Sequence, residues 1–313
     1  MRKKIALLIL LLAVLAFAVI PVNQQKTIRV KASFFNVYQQ LAAAGNWAKW
    51  RTDLRRARLS DSSKILSTRN TNGFKISHGD LKLNVQVHGY TFVVDEENKK
   101  NEYNYSYTVL PGKYPNATSI TVMQKTGILN YLLHLHAKKP FNETHINDLK
   151  SFMENPDLYY GYKIIKKRVT DTNIVVLRRA VLSKNKFIEA AKMLADLKHF
   201  LSLHHLTQTQ PLMAQFFNKA NDSSQVNIGL PVDRKIKTRY PISFMAMPPT
   251  GYLYTAKFSG KFIDRLKAYA AVKRYFNDRE MPIPILPFET YLDNKLPATD
   301  SDKINIQINF TTF

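Results

Sequence analysis

The sequence predicts an α+β protein with three parts. These are an N-terminal membrane helix, a domain of one strand, one helix and an antiparallel meander, and a pseudo-twofold duplicated strand-helix-strand-strand domain. Three observations carry this. Arg2-Lys3-Lys4 precedes an uncharged apolar run from Ile5 to Val22. Behind it, segments of period two follow one short helical pattern and a Trp-rich corner. Last, the helix that opens at Lys186 recurs, in register, at Lys261.

The apolar run sets the first boundary. At ~1.5 Å per residue, Ile5–Val22 spans ~27 Å, close to the hydrocarbon core of a bilayer. The basic flank keeps the N-terminus cytoplasmic and places the soluble part outside. Residues 1–26 are thus expected to be a membrane anchor, with residues 5–22 in the bilayer. The alternative is a signal segment cut at Ala16-Phe17-Ala18, leaving a secreted or periplasmic protein.

At 313 residues the chain has room for two cores. It contains no cysteine, which excludes disulfides, thiolate metal sites and cysteine nucleophiles. Its net charge of +23 favours anionic partners. The basic residues are spread along the chain, however, and the dense runs Arg51–Arg58 and Lys163–Arg168 sit in no nucleic-acid motif. The charge is therefore read as a solvated, membrane-facing surface, and nucleic acid is not an expected partner.

Within 27–155, Ile28, Val30 and Ala32 alternate with polar residues and predict a half-buried strand. Phe34 to Ala44 reads as a helix with Val37 and Leu41 inward, closed by Gly45. Asn46-Trp47-Ala48-Lys49-Trp50 follows, then strands at 81–87, 90–94, 102–109 and 119–123. Tyr103, Tyr105 and Tyr107 share one face of the third of these. The opening strand, the helix and Asn46-Trp47-x-x-Trp50 together resemble the START-like (SRPBCC, helix-grip) superfamily. That resemblance implies a curved antiparallel sheet gripping a C-terminal helix, here 142–154, around an apolar cavity.

Within 156–313 the pattern restarts. Strands are expected at 162–169 and 173–181, a helix from Lys186 to about Leu203, a turn-rich stretch, and a strand at 226–232. Residues 249–313 repeat this order, with a strand at 252–258, a helix at 261–276, and strands at 288–292 and 304–310. Lys186-Phe187-Ile188, Lys192, Ala195 and Lys198 match Lys261-Phe262-Ile263, Lys267, Ala270 and Lys273. Two such copies pack as a pseudo-twofold pair with helices on one side, and repeat interfaces are frequent ligand sites.

Glu289 and Tyr291 lie two apart on the strand Phe288-Glu289-Thr290-Tyr291, so they face one way. Together with the doubled unit and Phe258-Ser259-Gly260, this stretch resembles the GyrI-like small-molecule-binding domain, the effector-binding domain of multidrug-sensing bacterial transcription activators. The resemblance implies a central pocket in which Glu289, flanked by Phe288 and Tyr291, meets a cationic or amphipathic organic ligand. A carboxylate among aromatics needs a cation or several donors. Tyr252, Tyr254, Phe244 and Tyr269 are candidate rings for cation–π contact. Gln215 is read as the counterpart of Glu289 in the first repeat, with Phe217 for Tyr291.

No nucleophile elbow, Walker loop or dinucleotide fingerprint occurs. His134, His136 and His145 lack diagnostic metal spacing, so no metal or cofactor is expected. No helix-turn-helix precedes the second domain. The expected function is a membrane-anchored, non-enzymatic small-molecule-binding protein. A hydrolase using the pocket Glu is the alternative, and the effector-sensing part of a transcription regulator a further one.

Overall fold

The computed structural model describes residues 21–99, 101–114, 116–128, 145–170 and 173–312. The run Ile5–Ile20, Ala16-Phe17-Ala18, His134, His136 and Asn142 lie outside the described residues. The chain divides into two compact units between Asn155 and Pro156. Both are α+β, with antiparallel sheets of seven and eight strands.

The first unit opens on β1 (Pro21–Val30). The expected strand of 27–33 thus begins six residues earlier, and Pro21 and Val22 belong to a sheet. β1 pairs along its whole length with β7 (Thr118–Gly127), the last strand of the meander. Between them run β2 (Leu66–Asn70), β3 (Gly73–His78), β4 (Leu81–His88), β5 (Thr91–Asn98) and β6 (Asn101–Pro111), in the order β1-β7-β6-β5-β4-β3-β2. β2 and β3 were not expected. Polar Thr68-Arg69-Asn70 on the edge strand β2, and Lys75 on β3, hide the alternation of Phe74 and Ile76.

Three short helices cover this sheet: α1 (Phe34–Ala42), α2 (Ala44–Trp50) and α3 (Thr52–Ser60). Ser33 caps α1 by accepting from the Asn36 amide. Gly45 does not end a helix as expected. It lies in the first turn of α2, and the break falls at Ala43, which is extended. The tryptophans explain why the chain turns there. Trp47 Nε1 donates to the Leu41 carbonyl at 2.9 Å and Trp50 Nε1 to the Gln40 carbonyl at 3.2 Å. Those carbonyls are among the last of α1 and have no partner within the helix.

The gripping helix, α4, is Ile146–Glu154 and buries Ile146, Leu149, Phe152 and Met153. It also holds α3, whose first amide, Thr52 N, donates to Asp148 Oδ2 at 3.0 Å. Close packing extends to the sheet: a Cβ added at Gly73 would lie 1.9 Å from the Val85 carbonyl oxygen. Gly73→Ala is therefore expected to cost about 1–3 kcal/mol, read as a lower urea midpoint. An unchanged midpoint would mean that β3 and β4 pair differently.

In the second unit, α5 (Pro156–Tyr160) and β8 (Ile164–Arg168) precede β9 (Asn173–Leu182) and α6 (Lys186–Leu203). β10 (Met213–Asn218), β11 (Ser223–Pro231), β12 (Ile242–Ala246) and β13 (Tyr252–Lys261) follow. A 3-10 turn, Phe262–Arg265, leads into α7 (Leu266–Asn277), and β14 (Phe288–Tyr291) and β15 (Lys303–Thr312) complete the sheet. The helix expected at 261–276 thus starts later, because Lys261 still pairs with Lys303 in the sheet.

The order β12-β9-β11-β10-β14-β15-β13-β8 is a palindrome of the two repeats about the β10–β14 pair. β8 flanks the second repeat and β12 the first, so each repeat is edged by the strand that precedes the other. β10 lay in the stretch read as turn-rich and β12 in none of the expected strands. Gln208 to Leu212 and Lys237 to Pro241 supply strong turn residues next to both.

The side chains of this sheet divide cleanly. Phe187, Leu197, Val226, Ile228, Ala256, Val272, Ile306 and Phe310 pack on the helix side in one core. Ile174, Val176, Met213, Met247, Leu253 and Phe288 form a smaller cluster on the opposite face. At the dyad, Phe187 and Phe262, which match in the repeat, meet edge-on with ring centroids 5.1 Å apart.

Candidate functional site

Glu289 sits on β14 facing the helices and is fully buried. Its carboxylate is not open. Arg265 Nε donates to Oε1 at 2.6 Å, Tyr269 OH to Oε1 at 3.2 Å and Tyr291 OH to Oε2 at 2.5 Å. Arg265 is itself buried, stacks 3.4 Å above the Phe262 ring and donates to the Phe262 carbonyl. Burial first, and then the charge of Glu289, push the Tyr269 and Tyr291 phenols well above the ordinary tyrosine value. Both hydroxyls therefore stay protonated and donate. The cation that the carboxylate requires is supplied by the chain.

Gln215 is not the counterpart of Glu289. In the β10–β14 pair, Ala214 lies directly across from Glu289. Gln215 points to the other face and binds the Leu286 and Pro287 carbonyls at 3.0 and 3.1 Å. One offset relates the whole cluster to the first repeat: Arg265, Tyr269, Glu289 and Tyr291 stand where that repeat has Ala190, Leu194, Ala214 and Phe216. Neither Ala190 nor Ala214 is more than 2% exposed. The same fold thus carries an apolar solution in one copy and a buried polar quartet in the other.

The remaining expected site residues are not gathered around Glu289. Tyr254 packs against Tyr275 and Phe276. Tyr252 carries Lys166 Nζ 3.9 Å above its ring. Phe244, on β12, lies against the helix-side core. Phe288 faces the opposite way, as strand alternation requires.

Phe288 leads to an accessible cavity of about 280 Å³ on that opposite face. Its floor is Ile174, Val176, Met213, Met247 and Phe288, each under 9% exposed. Met245, Ile285 and Leu286 stand at the rim, 36%, 38% and 61% exposed. The two repeats differ beside the cavity. Gly229 pairs with Met213 as Asn309 pairs with Phe288. In the second repeat the Asn309 side chain bonds Thr290 Oγ1 at 2.9 Å. In the first, neighbours close over the glycine, and a Cβ there would lie 3.1 Å from Ile174 Cγ2.

Sequence reading missed Arg265, Gly229, Arg178 and the three methionines. A charged residue in repeat register with buried Ala190 was the signal for Arg265. Met245-x-Met247, two apart at the end of β12, was the signal for a shared face.

In the first unit, the space between sheet and helices is filled. Trp47, Trp50, Arg51, Tyr105 and Tyr107 are each at most 1% exposed. Arg51 was expected on a solvated basic surface. It is instead held by Glu96 through both terminal nitrogens, at 2.9 and 2.7 Å, and by Asp53. A depression of about 730 Å³ crosses the same sheet, and Lys82 and Glu97 pair within it at 3.2 Å. Among the described residues no cluster suits a metal ion, and no helix is long and apolar enough to cross a membrane.

No family model and no curated protein matches the chain. Solved structures that resemble it include the EcmrR C-terminal domain, at 18% identity over 48% of this chain and 96% of that one, with a TM-score of 0.39. The EcmrR–DNA complex resembles it at 15% identity over 59% of this chain and 76% of that one, with a TM-score of 0.39. A START superfamily protein from Mycobacterium smegmatis resembles it at 11% identity over 42% of this chain and 97% of that one, with a TM-score of 0.28. Structures of the GyrI-like effector-binding kind and of the START kind are thus both among the matches.

Proposed function

We propose that the chain is a small-molecule-binding protein whose ligand occupies the cavity bounded by Met213, Met245, Met247 and Phe288. The observation that carries this is the cavity itself: a concave, apolar site with a few polar groups at one end. Small-molecule sites have this composition. Methionine side chains adapt to varied apolar shapes, which suits an organic ligand of no rigid outline. Each buried methylene contributes about 0.8 kcal/mol. Glu289 acts in support of the site by fixing β14, the strand that delivers Phe288 to it. With its carboxylate paired to Arg265, it gives no specific support to the hydrolase alternative.

The test is ligand binding by the full chain. A panel of apolar and amphipathic compounds should raise the Tm, and Met245→Trp or Ile285→Trp, which fill the rim without touching the floor, should abolish the shift. Shifts that survive both variants would place the ligand elsewhere.

Membrane attachment belongs to the same proposal. Because Pro21 starts β1, the segment left for the bilayer is Ile5–Ile20, ~24 Å as a helix, with Arg2-Lys3-Lys4 holding the N-terminus in the cytoplasm. Carbonate extraction together with the mass of the mature N-terminus separates an anchor from cleavage after Ala18. Recovery of an intact chain in the soluble fraction would overturn both.

A further inference from the structure

We infer that the cavity ligand is an amphipathic anion, an acyl-type chain bearing a carboxylate that Arg178 binds at the rim. The inference rests on the cavity reading above and concerns the chemical class of its ligand.

On β9, Ile174, Val176 and Arg178 follow one another on the cavity face, so the strand runs from apolar floor to cationic rim in two steps. The other polar side chains there are already committed. Both acceptors of the Gln215 amide group are the carbonyls of Leu286 and Pro287. Asn227 Nδ2 donates to Gln215 Oε1 at 2.8 Å, and Asn227 Oδ1 accepts from Gln225 at 3.1 Å. Arg178 differs from them. Among the described residues its one side-chain hydrogen bond is Nη2 to Met245 Sδ at 3.8 Å, a weak acceptor, and it joins none of the ion pairs.

No carboxylate lines the cavity. An alkylammonium ligand would therefore meet a guanidinium with no counter-charge, whereas a carboxylate would receive two parallel N–H donors in the geometry that arginine favours. The chain's net charge of +23 works in the same direction, by raising the local concentration of anions. Geometry also sets the pose: the head group stays in solvent beside Arg178 and the chain lies over Val176 and Ile174 toward Met213 and Phe288. The cationic ligand expected for Glu289 thus gives way to one of opposite sign on the opposite face.

Three probes of equal chain length separate charge from hydrophobicity: decanoate, 1-decanol and decyltrimethylammonium, each titrated calorimetrically into the full chain below its micellar concentration. Decanoate is expected to bind at least about ten-fold tighter than the other two, a difference of ~1.4 kcal/mol. Arg178→Gln should bring it to the level of decanol, and Arg178→Lys should retain part of the difference. Met245→Trp should abolish decanoate binding, which excludes general attraction to a basic surface. If all three probes bind alike, or Arg178→Gln leaves decanoate unchanged while Met245→Trp removes it, the cavity stands and the anion assignment falls. If decanoate binding survives Met245→Trp, or no probe binds, the cavity reading falls with it.

Discussion

Arg265→Ala should destabilise the second unit by about 3–5 kcal/mol, the cost of leaving a buried carboxylate without its cation. Glu289 would keep two phenol donors and lose the guanidinium that balances its charge. A double-variant cycle distinguishes this from a simple loss of packing.

Adding Glu289→Ala should recover part of the loss, with a coupling of about 2–3 kcal/mol in the double-variant cycle. The double variant writes onto the second repeat the Ala190–Ala214 pair that the first repeat already carries in its core. A strictly additive cycle would show that the guanidinium and the carboxylate act separately.

The repeat was legible because it is written twice: Phe187 and Phe262 match in sequence and meet at the dyad. α6 was legible end to end because its apolar positions keep one face over many turns. β10 was not, since Gln215, Phe216 and Phe217 show no clean alternation and lie between turn residues. The face of Glu289 was legible from its spacing to Tyr291. Its partner was not, because Arg265 lies on a 3-10 turn where helical spacing no longer says which side chains face inward. The counterpart was misread by one residue. In a strand that reverses the face, so Gln215 was assigned to a core it points away from. The cavity was not legible, because its lining is gathered from segments far apart in the sequence.

The first unit holds a second buried arginine. Its loss is expected to cost as much, and both tryptophans of the protein report on it. Arg51 lies between α2 and α3 with its guanidinium facing β5, where Phe92 and Val94 are core residues and Glu96 continues their face. Tyr105 OH donates to Glu96 Oε2 at 2.8 Å, and burial first of all pushes that phenol well above the ordinary tyrosine value, so it remains a donor. Arg51→Ala leaves Glu96, 4% exposed, with the phenol alone.

The expected loss of about 3–5 kcal/mol corresponds, at a urea dependence of about 1–3 kcal/mol per molar, to a midpoint lower by at least about 1 M. Trp47 and Trp50 emission should follow this directly, because both rings are buried within this unit and the second repeat domain contains no tryptophan. Glu96→Gln retains an acceptor for Tyr105 and should still be destabilised, since the arginine is then the uncompensated charge. If Glu96→Gln leaves the tryptophan midpoint unchanged, Asp53 and not Glu96 carries the guanidinium. The helices α2 and α3 would then be tied to each other instead of to the sheet.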